Sequence, residues 1–480
     1  MALKGSLIDT VLEAARERCE ALEKEATRFE NRRFPSQGPR ILLNLVRRTN
    51  DAIKGSLRAI AEDTELRELL TPEQFELKVY RHTEFLPYLH WLLSFLQGAE
   101  VYDTPYALIP PLRRFLRKCL ADSEVIFSSQ HELNYSFFEV AENIRRLYEN
   151  AGEEKFKELV KEFPSNFIAI TFPSVETNHV LLHCMIAHEI GHGIFVRDKL
   201  HEKLFPLVRI DHIEITRFAR HVTKPEHPKS QLELLPTELQ VRQSLTKKIN
   251  DSIDGWLNEL CSDAIGLCLF GPAYYFAFLN FIVSFHYFDK TALTHPAPRL
   301  RLRLLSEMIA DGDSTETLGY APYFDDNVSR LYESWKKEAS TERELGDPLY
   351  RIVSQAVTPL LKMIANTAIE SSKELIYKTE QFNKTDELCR LLVNVIPPVE
   401  LVRTHGAERE ITDLVSVLNA GWQVYLSSME EFAKNLRLDS SKNGPESKER
   451  LLQILLKSVE LLETITRWKE VQIAIKGTRH

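Results

Sequence analysis

Two histidines and a glutamate stand at the spacing that lets side chains of one helix share a metal ion. His188, Glu189 and His192 form an HExxH motif in the apolar run that begins at Leu181. Residues four apart lie on one helical face, so both imidazoles can meet one ion while Glu189 handles a proton beside them. The motif therefore predicts zinc-dependent hydrolysis as the leading hypothesis. The alternative is a core helix with two incidental histidines, which would need polar partners when buried.

Catalytic zinc usually takes three protein ligands, so two histidines leave the site incomplete. In the pattern HExxHxxGxxH the third ligand follows directly, but here Phe195 and Asp198 occupy the glycine and last histidine positions, which excludes that pattern. Glu259 and Asp263 lie four apart in a largely apolar stretch. We expect Glu259 to be the third ligand and Asp263 to accept the free N–H of a ligand histidine. An ordinary acidic first turn of a helix is the alternative.

A third element is His295-Pro296, with Arg301 six residues after the histidine. The order HExxH, ExxxD and HPxxxxR resembles that of gluzincin-type zinc metallopeptidases, and is most similar to the CAAX-processing and heat-shock-type zinc proteases. The resemblance covers roughly residues 165–305 and implies Zn²⁺ as the cofactor. It implies zinc ligands at His188, His192 and Glu259, a general base at Glu189, a supporting carboxylate at Asp263, and His295 and Arg301 near the site.

The tetrahedral oxyanion of such a hydrolysis needs a donor besides the metal. His295 is the first candidate and Arg301 the second, with Tyr274, Tyr275 and Tyr287 as weaker ones. We expect a peptide or protein substrate, because the ligand set and the resemblance both indicate one. Two other classes stay open: a binding or regulatory protein with an inactive or structural zinc site, and a membrane-associated protease. The oligomeric state is not predicted.

The composition is typical of a globular protein in a reducing compartment. Of the 480 residues, 44% are apolar and 27% are charged, and the net charge of −8 argues against a nucleic-acid partner. The six cysteines form no CxxC pair, and the N-terminus shows no signal-peptide pattern. We therefore expect a cytoplasmic location.

An uncharged stretch from 264 to 287 raises the question of a membrane span, because the proteases that the motifs resemble are membrane-embedded. A span needs about 20 continuous apolar residues. Gly271-Pro272 interrupts this stretch, so we predict two buried core helices there and no membrane span.

Apolar residues at helical spacing and a low glycine count predict a mainly α fold with a small β element. The resemblance implies that this β element belongs to a zincin-like core, which helical regions flank. We expect an N-terminal helical region at 1–115, the metallopeptidase core at 116–320, and a C-terminal helical region at 321–480. The core is interrupted at about 197–250 by a segment that we interpret as an inserted helical lid or cleft wall.

The best strand candidates are 125–127 and 166–172. The resemblance to gluzincin-type proteins implies that the second is an edge strand that lines the cleft and can align substrate backbone by strand addition, which a central position in the sheet would exclude. The C-terminal region is expected to hold long amphipathic helices at 345–396 and 407–437. These either buttress the site or serve recognition or oligomerisation.

Overall fold

The computed structural model describes residues 2–151, 158, 161, 164–222, 238–284, 292–312, 316–341, 347–402, 409–438 and 444–477. The structure is 73% helical and its larger sheet has three strands, so the predicted mainly α fold with a small β element is confirmed. Contacts between Cα atoms divide the chain into two compact units, Met1–Asn178 and His179–His480. The boundaries predicted after residues 115 and 320 do not coincide with this division.

The first unit combines helices with the three-stranded sheet. Its helices are α1 (Ala2–Thr27), α2 (Gly38–Glu62), α3 (Thr64–Leu69), α4 (Pro72–Thr83), α5 (Leu86–Gln97), α6 (Ile109–Cys119) and α7 (Val140–Ala151). Its strands are β1 (Ser123–Gln130), β2 (Ser136–Glu139) and β3 (Asn166–Pro173). Leu42, Val46, Ile53 and Leu57 form a fully buried stripe at helical spacing on α2, which packs on α1, α4 and α5.

The strand β3 lies in the centre of the sheet, with β1 parallel to it on one side and β2 antiparallel on the other. The prediction that this strand forms an edge was therefore wrong. Both of its hydrogen-bonding edges are used within the sheet, which excludes strand addition to it. The β1–β3 pairing also joins residues on both sides of α7 to the N-terminal helices. The first unit consequently extends well past residue 115.

The second unit begins with a 3₁₀ turn at Leu182–Met185 and is almost entirely helical in its described part. Its helices are α8 (Ile186–Arg197), α9 (Leu200–Leu204), α10 (His212–Val222), α11 (Glu238–Phe270), α12 (Pro272–Ser284), α13 (Pro298–Ile309), α14 (Asp326–Ser340), α15 (Pro348–Val357), α16 (Leu361–Ser371), α17 (Thr379–Asn383), α18 (Thr385–Val393), α19 (Leu414–Ser427), α20 (Met429–Asn435) and α21 (Gly444–Gly477). The strands β4 (Glu400–Val402) and β5 (Arg409–Ile411) form a small antiparallel pair.

The long helix α11 is the centre of this unit, because α8, α10, α13, α15 and α16 all pack on it. Helices from both sides of residue 320 thus share one core, and no boundary falls there. The segment expected to be inserted at 197–250 contains α9, α10 and the start of α11 itself. The candidate ligand Glu259 lies further along that same helix. The loop predicted at 224–229 lies outside the described residues.

The long helices expected at 345–396 and 407–437 are in fact several shorter ones. Pro359 lies in a 3₁₀ turn, Thr358–Leu360, that separates α15 from α16. Strand β5 stands where the second long helix was expected to begin.

By length and composition alone, the stretch Pro348–Ser371 is the one candidate membrane span among the described residues, and 44% of its most apolar window is buried.

The predicted break at Gly271-Pro272 is present, and it separates α11 from α12. Gly271 has φ of +59°, a left-handed conformation that glycine adopts without strain. The Asn419 amide donates to Phe270 O and accepts from Ala273 N, both at 2.9 Å, so the backbone groups freed by the break are paired. Residues 264–270 and 273–279, on either side of the break, are buried, as predicted for this part of the stretch.

Candidate metal centre

The HExxH residues lie on α8, whose apolar residues bury it in the second unit. Ile186, Ala187, Ile190 and Ile194 are at most 1% exposed. His188 and His192 lie on the same face of this helix, as their spacing predicts. Their ring centroids are 4.6 Å apart, and the rings stand nearly perpendicular.

Glycine at position 191 allows α8 and α11 to pack backbone against backbone. A Cβ atom there would lie 2.7 Å from both Cα and O of Ser262, closer than real Cβ contacts come. The close approach brings the Glu259 side chain to the two rings. Its Oε2 lies 3.5 Å from His188 Nε2, and its Oε1 lies 3.8 Å from His192 Nε2.

The structure thus brings the three predicted ligands together, with their ligand atoms all within 4.8 Å of one another. In the described part of the chain, no other group of three or more His, Cys, Asp or Glu residues meets in this way. Three side chains are the number that a catalytic zinc takes from a protein, whereas a structural zinc takes four.

The Nδ1 atoms of both histidines point away from this cluster and contact side chains of α11. His188 Nδ1 lies 2.9 Å from Asp263 Oδ1, which is the contact that the sequence predicts. His192 Nδ1 lies 3.0 Å from both Asn258 Oδ1 and Ser262 Oγ. Oxygen acceptors at Nδ1 favour a proton there and turn Nε2 of each ring toward Glu259, where a bound metal would take the place of any Nε2 proton. Two imidazole nitrogens and a carboxylate that converge in this way form a donor set suited to zinc.

Sequence reasoning missed Asn258 and Ser262. The signal was available, because they precede Glu259 and Asp263 by one position each and are themselves four apart. The two pairs therefore lie on adjacent strips of one helical face. Asn258 and Ser262 contact Nδ1 of His192, Asp263 contacts Nδ1 of His188, and Glu259 faces Nε2 of both.

Arg301 lies on α13 and binds two carboxylates, those of Asp263 and of the candidate ligand Glu259. Its Nε and Nη2 donate to the two Asp263 oxygens at 2.6 and 2.7 Å, and its Nη1 lies 3.2 Å from Glu259 Oε2. Tyr274 is fully buried and donates to Asp263 Oδ1 at 2.6 Å. These contacts engage the donors of both side chains and argue against the predicted oxyanion role for either. Arg301 instead balances the charge of two buried carboxylates.

The other oxyanion candidates lie in different surroundings. Tyr275 is buried, and its hydroxyl pairs with Ser306 Oγ at 3.2 Å. Tyr287 lies outside the described residues. His295 has a side chain that is 58% exposed, and its Nε2 lies 3.5 Å from Glu259 Oε1. Of the predicted donors that the structure describes, His295 combines exposure with proximity to a candidate ligand.

Charges in the cluster move the pKa values of its members in opposite directions. Burial alone lowers the pKa of His188, but hydrogen bonds to Asp263 and Glu259 more than offset this and raise it to about 10. Burial and the charge of His188 lower the pKa of His192 to about 4. Burial raises the pKas of Glu259 and Asp263, but the positive charges of Arg301 and His188 outweigh this effect. The pKa of Glu259 is therefore held well below its usual range, and that of Asp263 is lowered to about 2. Both carboxylates are therefore ionised at neutral pH.

Glu189 differs from these two carboxylates. It is 3% exposed, and burial raises its pKa to about 7. A carboxyl whose pKa lies near the working pH can accept a proton from water, which is the task that the HExxH motif predicts for Glu189.

No protein-family model, curated protein or solved structure matches this chain. The resemblance to gluzincin-type peptidases therefore rests on the three motifs, and it stays a prediction.

Proposed function

We propose that this chain is a zinc-dependent peptidase, with zinc held by His188, His192 and Glu259. The observation that carries the proposal is that one helix, α11, contacts both ring nitrogens of both histidines. Side chains of α11 contact the two Nδ1 atoms, and its Glu259 carboxylate faces the two Nε2 atoms. Two histidines and one glutamate form a ligand set used by catalytic zinc in peptidases. Outer contacts of the kind that Asp263 and Asn258 make fix ligand orientation in zinc sites.

When bound, zinc supplies a Lewis acid that polarises a carbonyl and lets water lose a proton near neutral pH. Glu189 would take that proton and return it to the leaving amine of the scissile peptide bond. His295 would donate to the oxygen that gains negative charge during attack. Asp263 and Arg301 would hold the ligands in place, and neither would touch the substrate.

The decisive experiment measures zinc content and peptide hydrolysis on the same protein preparations. Wild type should bind one zinc and cleave a protein substrate such as casein. Glu189→Gln should keep the zinc and lose turnover, whereas Glu259→Gln should lose both. Glu307→Gln removes an exposed carboxylate of α13 that pairs with Arg303, and it should behave as wild type. Hydrolysis by Glu189→Gln would refute the general-base assignment. Zinc binding without hydrolysis by wild type would indicate a regulatory or structural zinc protein.

A further inference from the structure

The exposed His295 lies on a short segment that precedes α13, and two buried aromatic side chains hold this segment. At its start, Trp256 Nε1 donates to Leu293 O at 3.1 Å. Trp256 is fully buried on α11, three residues before Glu259. The helix that carries the candidate glutamate ligand therefore also fixes the backbone two residues before His295.

The other end of the segment is held from α15. The hydroxyl of Tyr350 accepts a hydrogen bond from Ala297 N at 2.7 Å. Tyr350 is 2% exposed, and its ring centroid lies 4.7 Å from that of Trp256. The two aromatic side chains thus form one buried pair that contacts the backbone on both sides of His295.

His295 itself has few contacts that could hold its ring. Its Nδ1 lies 2.9 Å from Thr294 Oγ1 on the same exposed segment, and its Nε2 lies 3.5 Å from Glu259 Oε1. Its location beside the candidate ligand therefore follows from the backbone, and the backbone is held by the aromatic pair.

We propose that Trp256 and Tyr350 are positioning residues that hold His295 beside the metal ligands. This inference rests on the proposed function, because it gives His295 the task of donating to the reacting oxygen. An alternative role for the pair is ordinary core packing, which would affect folding but would not act through His295.

Tyr350→Phe tests the proposal with little change of volume, because it removes only the acceptor for Ala297 N. Its control is Tyr377→Phe, which removes an equally buried hydroxyl that pairs with Ser416 Oγ at 3.1 Å. We expect Tyr350→Phe to lower kcat about tenfold, less than the roughly 100- to 1,000-fold loss caused by removing an oxyanion donor, because His295 is displaced and not removed. The KM and the zinc affinity of Tyr350→Phe should change less than about twofold, since an oxyanion donor acts in the transition state. The kcat of Tyr377→Phe should also change less than about twofold.

A double-mutant cycle with His295→Ala separates positioning from packing. If Tyr350 and Trp256 act through His295, Tyr350→Phe and Trp256→Phe should cost no further activity once His295 is alanine. Equal losses in both backgrounds would overturn the inference and assign the pair to packing alone.

A second measurement does not depend on turnover. In protein that carries ¹³C-labelled histidine and is loaded with Co²⁺, the His295 ring signal should be shifted by the nearby paramagnetic ion. The shift should shrink in Tyr350→Phe and persist in Tyr377→Phe. A wild type that binds no Co²⁺ would refute the proposed function. A wild type that shows the shift, with the same shift in Tyr350→Phe, would refute only the inference.

Discussion

Replacing Gly191 by alanine should separate the two helices that build the candidate metal centre. The added Cβ would lie 2.7 Å from Ser262 Cα, whereas ordinary contacts begin at 3.4 Å, so the backbones must move apart by about 0.7 Å. Zinc sites tolerate distance errors of only about 0.2 Å. We therefore expect zinc affinity to fall at least about 100-fold, the upper end of the loss for disturbing an outer partner of a ligand. Overpacking should also lower the free energy of unfolding by about 1–3 kcal/mol.

The assay is competition for zinc between the protein and a fluorescent chelator, with circular dichroism to verify the fold. The control is Gly55→Ala on α2, where an added Cβ meets nothing within 4 Å. The control should gain about 0.5–1 kcal/mol in stability and keep its zinc affinity. A folded Gly191→Ala protein with wild-type zinc affinity would show that the close approach of α8 and α11 does not set the ligand positions.

Three further predictions concern stability. Asn419→Ala leaves Phe270 O and Ala273 N unpaired, which should lower the free energy of unfolding by about 2–5 kcal/mol in denaturant titrations. A loss under about 1 kcal/mol would refute the pairing. Burial, together with the charge of Lys448, lowers the pKa of His179 from 6.5 to about 4. His179 therefore binds a proton more readily in the unfolded chain than in the folded one. The free energy of unfolding of wild type should fall by up to about 3 kcal/mol as pH falls from 6.5 to 4. An equal fall in His179→Gln would contradict this assignment. Chelation should lower the Tm of the zinc-loaded protein, and Zn²⁺ but not Mg²⁺ should restore it. An unchanged Tm would contradict the prediction that zinc binds the folded state in preference to the unfolded state.

Local patterns predicted the parts of the site that lie within single helices. The four-residue spacing placed His188 beside His192, and Glu259 beside Asp263, because helical geometry fixes such neighbours whatever the fold. The break at Gly271 was also predictable, since proline at 272 cannot continue the hydrogen bonding of a preceding helix. In each case the determining chemistry lies within a few residues of sequence.

Features that depend on contacts between distant segments were beyond the sequence. The central position of β3 depends on pairing with both β1 and β2, and a run of apolar residues does not distinguish a central strand from an edge. Arg301 lies beside the candidate ligand Glu259, where the third motif led us to expect it, but its contacts were not predictable. Which acceptors surround its guanidinium depends on how α13 packs against α11. Its guanidinium is already paired with Asp263 and with the candidate ligand Glu259, which makes it a poor oxyanion donor.

Two roles were left open for the C-terminal helices: structural support of the site, and recognition or oligomerisation. The contacts of α19 favour structural support. Asn419 pairs the backbone groups at the break between α11 and α12, directly before Tyr274, which donates to Asp263. Three residues further along α19, Trp422 Nε1 donates to Leu181 O at 3.2 Å, in the segment that leads into the HExxH helix. One helix therefore supports both the segment before α8 and the end of α11. Because these two helices carry the candidate ligands, Asn419 and Trp422 support the candidate metal centre although neither belongs to its ligand group.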